Sequence, residues 1–140
     1  MREQRRQAYT HTSHVYVDVL HSLRECADAL RGAHGELAGE RLALARRAVT
    51  DLQVAVFDLR LWGPQEIVSV TKNLRRSAHR ALDALTRWHD AVVQGQEYER
   101  LEREYHETVD ALGEPYADYM RIAASTLGVP ETRPPAIGGP

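Results

Sequence analysis

Four stretches of this chain carry apolar residues at alternating steps of three and four, and glycine or proline separates each stretch from the next. A three-four alternation keeps side chains on one face of an α-helix and scatters them on a strand. The first stretch, from about Glu3 to Arg31, sets Tyr9, Thr12, Tyr16, Val19, Leu23, Cys26 and Leu30 in such a row, widened by Leu20 and Ala27. The second, from about Glu36 to Trp62, repeats it with Leu42, Ala45, Val49, Leu52, Val56 and Leu59. The third opens at Pro64, whose fixed φ and missing N–H suit a first helical turn, and carries Ile67, Leu74, Ala78, Ala81, Leu85, Trp88 and Val92. The fourth follows Gly95 with Tyr98, Leu101, Tyr105, Leu112, Tyr119 and Ile122. Gly32 with Gly35, Gly63-Pro64 and Gly95 mark the breaks.

Four amphipathic helices joined by short connections must lie antiparallel to their neighbours. The expectation is an all-α, up-down-up-down four-helix bundle with helices about 40 Å long at the usual rise per residue. β-Branched residues never alternate over a useful run, so no strand competes. Gly113-Glu114-Pro115 interrupts the fourth helix, because proline cannot donate its N–H, and a kink or short break near Pro115 is expected there. Residues 1–127 are then one bundle. Residues 128–140, with four prolines and three glycines, form a flexible tail that no helix survives.

At 140 residues the chain has the size of one domain and can bury a core without staples. A formal charge of −2 lacks the basic excess typical of chains that live on nucleic acid, so such a partner is not expected. No stretch approaches the roughly 20 apolar residues that span a bilayer, so membrane insertion is not expected either. The charged start, Met1 to Arg6, leads into no apolar segment of the secretory kind. A single cysteine, Cys26, allows no intrachain disulfide; together these features point to the cytoplasm.

Arg6-Gln7-Ala8-Tyr9, the turn Leu61-Trp62-Gly63-Pro64-Gln65-Glu66-Ile67-Val68 and the run Tyr119 to Gly128 resemble a group of small helical-bundle proteins from actinobacteria. That resemblance implies a helical bundle and no established activity. Many members of the group carry a hydrophobic N-terminal segment, which this sequence lacks.

No arrangement in the chain reads as catalytic machinery or calls for a cofactor. Phosphate-cradling glycine loops, paired CxxC motifs and nucleophile elbows are absent. His11, His14 and His21 share the first helix at spacings a metal could use, yet carboxylate-bridged bundle metals need Glu-x-x-His pairs, and there are none. His14 with Asp18 and His21 with Glu25 read better as four-apart surface pairs, so no metal site is assigned. Helical RNases of the HEPN type cleave with an arginine and a histidine at a short spacing, which Arg6 or Arg5 with His11 matches. In that family the motif falls late in the bundle with a small polar residue after the arginine, whereas here it opens the chain and Gln7 follows Arg6. Cys26 lies on the seam of its helix, as a small core residue would.

Two regions remain as candidate sites. In an up-down bundle Tyr9, Trp62, Tyr116, Tyr119 and Met120 gather at one end above Ile67. Rings with polar tips over an apolar floor make either a small ligand pocket or the wet lid of the core, and the lid is the simpler reading. Val54, Phe57, Leu61 and Val68 give helices two and three a second apolar edge outside the seam, which suits a partner or a homodimer. Helix three also carries Lys72, Arg75, Arg76, Arg80 and Arg87, while helix four answers with Glu97, Glu99, Glu102, Glu104, Glu107 and Asp110. The expectation is that these flanks pair, each exposed pair contributing under about 1 kcal/mol. The functional expectation is a non-enzymatic bundle that acts by binding another protein or itself. A small-molecule bundle using the aromatic end is the alternative, and the HEPN-like RNase a weaker one.

Overall fold

The computed structural model describes residues 2–128, and these form helices joined by short turns. Helix α1 runs Arg2–Arg31, α2 Gly35–Leu59, α3 Gln65–Val93, α4 Glu99–Asp110 and α5 Gly113–Thr126. The last two make one bent rod, with a change of direction of 16° at their junction. The architecture is the all-α antiparallel four-helix bundle that the apolar spacing requires. The bend falls where expected: Ala111 and Leu112 form the break, and Pro115 sits in the first turn of α5. There its missing N–H has no intrahelical acceptor to lose. Of the expected tail, residues 129–140 lie outside the described residues.

Helix ends follow local chemistry. The first helix stops in a tight turn in which the His34 N–H reaches back to the Ala29 carbonyl and the Ala33 N–H to Leu30. Such a turn needs one left-handed residue, and Ala33 supplies it with φ 58°, a conformation glycine adopts at less cost. The end of α3 uses the same device with Gly95, φ 69°, and a Gln96-to-Ala91 hydrogen bond. Helix α2 ends at Leu59, three residues before the sequence expectation, and Pro64 precedes α3 as its extended cap.

Packing differs from one helix pair to the next. The backbones of α1 and α2 approach each other along most of their length. Ala27 on one side and Ala38, Ala45, Ala48 and Ala55 on the other are buried and leave room for that approach. The Cys26 thiol donates to the Ala38 carbonyl across the seam at 3.5 Å, and Arg41 pairs with Glu25 at 2.6 Å along its edge. Helix α3 packs against α2, α4 and α5, with Leu74, Leu85 and Trp88 fully buried. Helices α1 and α5 keep their backbones further apart, and tyrosines span the space between them. At the opposite end of the bundle Arg31 closes the core: its guanidinium lies 5.8 Å from the centre of the Trp88 ring and donates to His106 at 3.0 Å.

Candidate functional site

The aromatic end assembles from α1 and α5. Tyr9 and Tyr16 rise one behind the other on α1, while Tyr116 and Tyr119 descend on α5. Tyr16 stacks on Tyr116 with ring centres 3.8 Å apart and planes within 4°, and Tyr9 stacks on Tyr119 at 6.1 Å. The Tyr119 hydroxyl donates to the Tyr9 carbonyl at 2.9 Å, and Ser13 reaches both that hydroxyl and the Met120 sulfur. The structure therefore brings Tyr9, Tyr116, Tyr119 and Met120 together and adds Tyr16, which sequence reasoning had placed only on the seam. Trp62 is half-buried and forms no ring-to-ring pair with them. Ile67 does lie close beneath Tyr9: both crowd the point where a Cβ on Gly63 would stand.

These rings fill the space between α1 and α5 with their own faces. Burial pushes the Tyr16, Tyr105 and Tyr119 hydroxyls up to about 12, and the Ser13 hydrogen bond offsets part of the rise at Tyr119. Burial also raises Tyr9, partly offset by the nearby Thr126 hydroxyl and the Arg5 charge. The contact with Thr126 does not have the geometry of a full hydrogen bond, so the Tyr9 hydroxyl is buried without one among the described residues. The Cys26 thiol is likewise raised by burial, to about 11, with Arg46 pulling the other way. A thiol held protonated makes a poor nucleophile.

The second apolar edge lies on the outer side of α2. Val54 is 57% exposed, Phe57 66%, Leu61 74% and Val68, in the first turn of α3, 36%. Beside them runs a groove between α2 and α3. Its wider part, about 490 Å³, is lined by Gln53, Arg75, Arg76, His79, Arg80 and Asp83. A narrower hollow of about 240 Å³ continues past Gln53 and Arg75 to Val56, Phe57 and Arg60. Gln53 and His79 join the two helices across the floor at 3.3 Å, and the Arg60 guanidinium lies 5.9 Å from the centre of the Phe57 ring.

The charge layout departs from the expected flank pairing. Of the basic strip on α3, Arg87 pairs with Glu104 of α4 at 3.5 Å. Among the described residues, Arg60, Arg75, Arg76 and Arg80 have no carboxylate within ion-pair distance. The physical reason is rotational. Arg75 and His79 stand on the flank of α3 that faces α2, while Arg76 and Arg80 stand further out. Arg80 also borders a hollow beside Glu107 of α4 without pairing with it, and the carboxylate among the groove's lining residues is Asp83. Sequence reasoning missed Gln53, Arg60 and His79 as members of this surface. A signal was available: the positions three and four away from these arginines hold only one carboxylate, Asp83.

Helix α1 places its histidines in solvent. His21 pairs with Glu25 at 2.9 Å, whereas His14 makes no such pair with Asp18. Among the described residues no three metal-ligating side chains converge. Arg6 and His11 are both exposed on the same helix, and Arg5 is half-buried. None of the described helices is long and apolar enough to cross a membrane. Comparison with protein-family models, curated proteins and solved structures finds no match to this chain.

Proposed function

We propose that this chain is a non-enzymatic, cytoplasmic bundle that works by binding protein, either a partner or a second copy, through the outer side of α2 and the first turn of α3. The observation that carries this reading is the exposure of Val54 and Phe57 on α2 and of Leu61 just past its end, while Leu42, Val49, Leu52, Val56 and Leu59 of the same stretch already fill the core. Apolar area left in water forgoes roughly 25 cal/mol per Å² of burial, so a clustered set of large side chains marks a surface meant to be covered. The small-molecule alternative at the aromatic end is less favoured, because Tyr9, Tyr16, Tyr116 and Tyr119 stack on one another rather than around an opening. The RNase alternative has Arg6 and His11 alone to support it.

The test is site-specific photo-crosslinking in the native host, with a benzophenone side chain in place of Phe57 and, as control, in place of Asp110, which is exposed on α4. Discrete adducts are expected at position 57 and not at 110. Their mass separates a second copy from a different protein. Equal adduct ladders at both positions, or none at either, would remove the reading.

A further inference from the structure

Resting on that reading, we infer that the partner presented to this face is a different protein, and that its docking segment is an acidic, amphipathic helix or strand. Three observations lead there. Four arginines without carboxylate partners line the groove that Phe57 borders. The chain as a whole carries a formal charge of −2, so this concentration of positive charge is local and not a property of the composition. The apolar and basic features are also contiguous, since Arg60 and Arg75 line the same hollow as Val56 and Phe57. A partner with apolar side chains for Phe57, Leu61 and Val54, and carboxylates beside them for the guanidinium groups, satisfies both at once.

The same charges argue against a symmetric dimer through this face. A two-fold contact sets each patch against its own copy, which brings Arg60, Arg75, Arg76 and Arg80 of one protomer against the same four of the other. Like charges facing each other across a desolvated contact cost free energy, whatever Phe57 and Leu61 recover. A head-to-tail contact fares no better. The acidic helix α4 turns Leu101, Tyr105 and Val109 into its own bundle. The exposed Leu37 and Leu44 of α2, beside Glu36 and Glu40, are followed by Arg46 and Arg47, so the carboxylates a second copy offers next to apolar side chains come with like charge. Nucleic acid would answer the arginines but not the aliphatic side chains next to them, since single-strand binders use stacking rings, and of the two rings here Phe57 is partnered by Arg60 and His79 is held by Gln53.

The experiment is fluorescence anisotropy on the purified full chain with short labelled helical peptides. One carries leucines on one face with glutamates on both flanks; its counterparts replace the glutamates by glutamine or by lysine. A single-stranded oligonucleotide is the fourth probe. The glutamate peptide is expected to bind about tenfold more tightly than the glutamine peptide, with that advantage removed by high salt and the lysine peptide weakest. The combined variant Arg75→Gln, Arg76→Gln, Arg80→Gln, shown by circular dichroism to be folded, should bind the glutamate and glutamine peptides alike. The variant Phe57→Ser should weaken both. Tighter binding of the oligonucleotide, equal binding of the lysine peptide, no binding of any peptide, or an arginine variant that behaves as wild type would each overturn the inference. Adducts at position 57 that persist in the arginine variant would leave the docking face standing and remove only its acidic partner. The absence of adducts in the chain with its arginines intact would remove both.

Discussion

Helix α1 meets its two neighbours by opposite means. Against α2 it offers small side chains, and the backbones close in until a thiol can reach a carbonyl across the seam. Against α5 it offers tyrosines, and the backbones stand apart with rings between them. The first contact is held by shape along its whole length. The second is held at a few points by large rings, and the Tyr119 hydroxyl is directed to a backbone carbonyl across it. An alanine seam should therefore tolerate nothing larger, whereas a tyrosine seam should tolerate nothing smaller.

The largest expected effect breaks the tyrosine seam. Replacing the fully buried Tyr119 by alanine removes its ring from between Tyr9 and Tyr116 and should cost about 4 kcal/mol in denaturant unfolding. Tyr119→Phe keeps the ring and loses the hydroxyl's hydrogen bond to the Tyr9 carbonyl and its longer contact with Ser13, at about 1 kcal/mol. Equal losses for the two variants would show that the hydroxyl, not the ring, carries this contact. Next comes the alanine seam. Ala45 has no exposed surface, and Ala45→Leu should cost about 2 kcal/mol by forcing α1 and α2 apart. A neutral outcome would mean the seam has room that its close approach denies.

The smallest effect, at moderately alkaline pH, is one of titration. Tyr16 and Tyr119 in one seam are held up to about 12, and Cys26 in the other to about 11. All three folded values exceed the unfolded ones, so the folded chain keeps protons that the unfolded chain has released. This contribution is complete below about pH 9 and is lost as pH rises through 11 to 12. Near the ordinary tyrosine value each buried tyrosine accounts for only about 0.4 kcal/mol, and the loss deepens above it. Denaturant midpoints measured against pH, with tyrosinate absorbance recorded in parallel, check the sign. A midpoint that stays level from neutral pH to pH 12 would contradict it.

The bundle was legible in the sequence because its cause is local. The three-four spacing from Tyr9 to Leu30, or from Leu42 to Leu59, needs no knowledge of a neighbour to be read, and Pro115 breaks the last helix by its own covalent structure. The candidate surfaces were less legible because they depend on how helices are rotated about their axes. Phe57 and Leu61 could be found as apolar residues off the seam. Whether Arg75 turns towards α2 or α4 is settled only when α3 is seated, and that choice makes the groove. Trp62 shows the same limit at smaller scale. Helix α2 ends at Leu59, so the register that set Trp62 among the tyrosines no longer applies three residues later.

Arginines facing α2 on one flank of α3 and glutamates of α4 beyond the other mean that the potential changes sign across the width of one helix. A molecule with almost no net charge can therefore still exert a torque. An anionic body approaching within a Debye length, about 8 Å at physiological salt, is turned towards the α2–α3 side and away from α4 before any atoms touch. The pairing of flanks, which includes Arg87 with Glu104 but not Arg75, Arg76 or Arg80, leaves a field outside the bundle, and that field acts on the rate of encounter more than on the lifetime of whatever is bound.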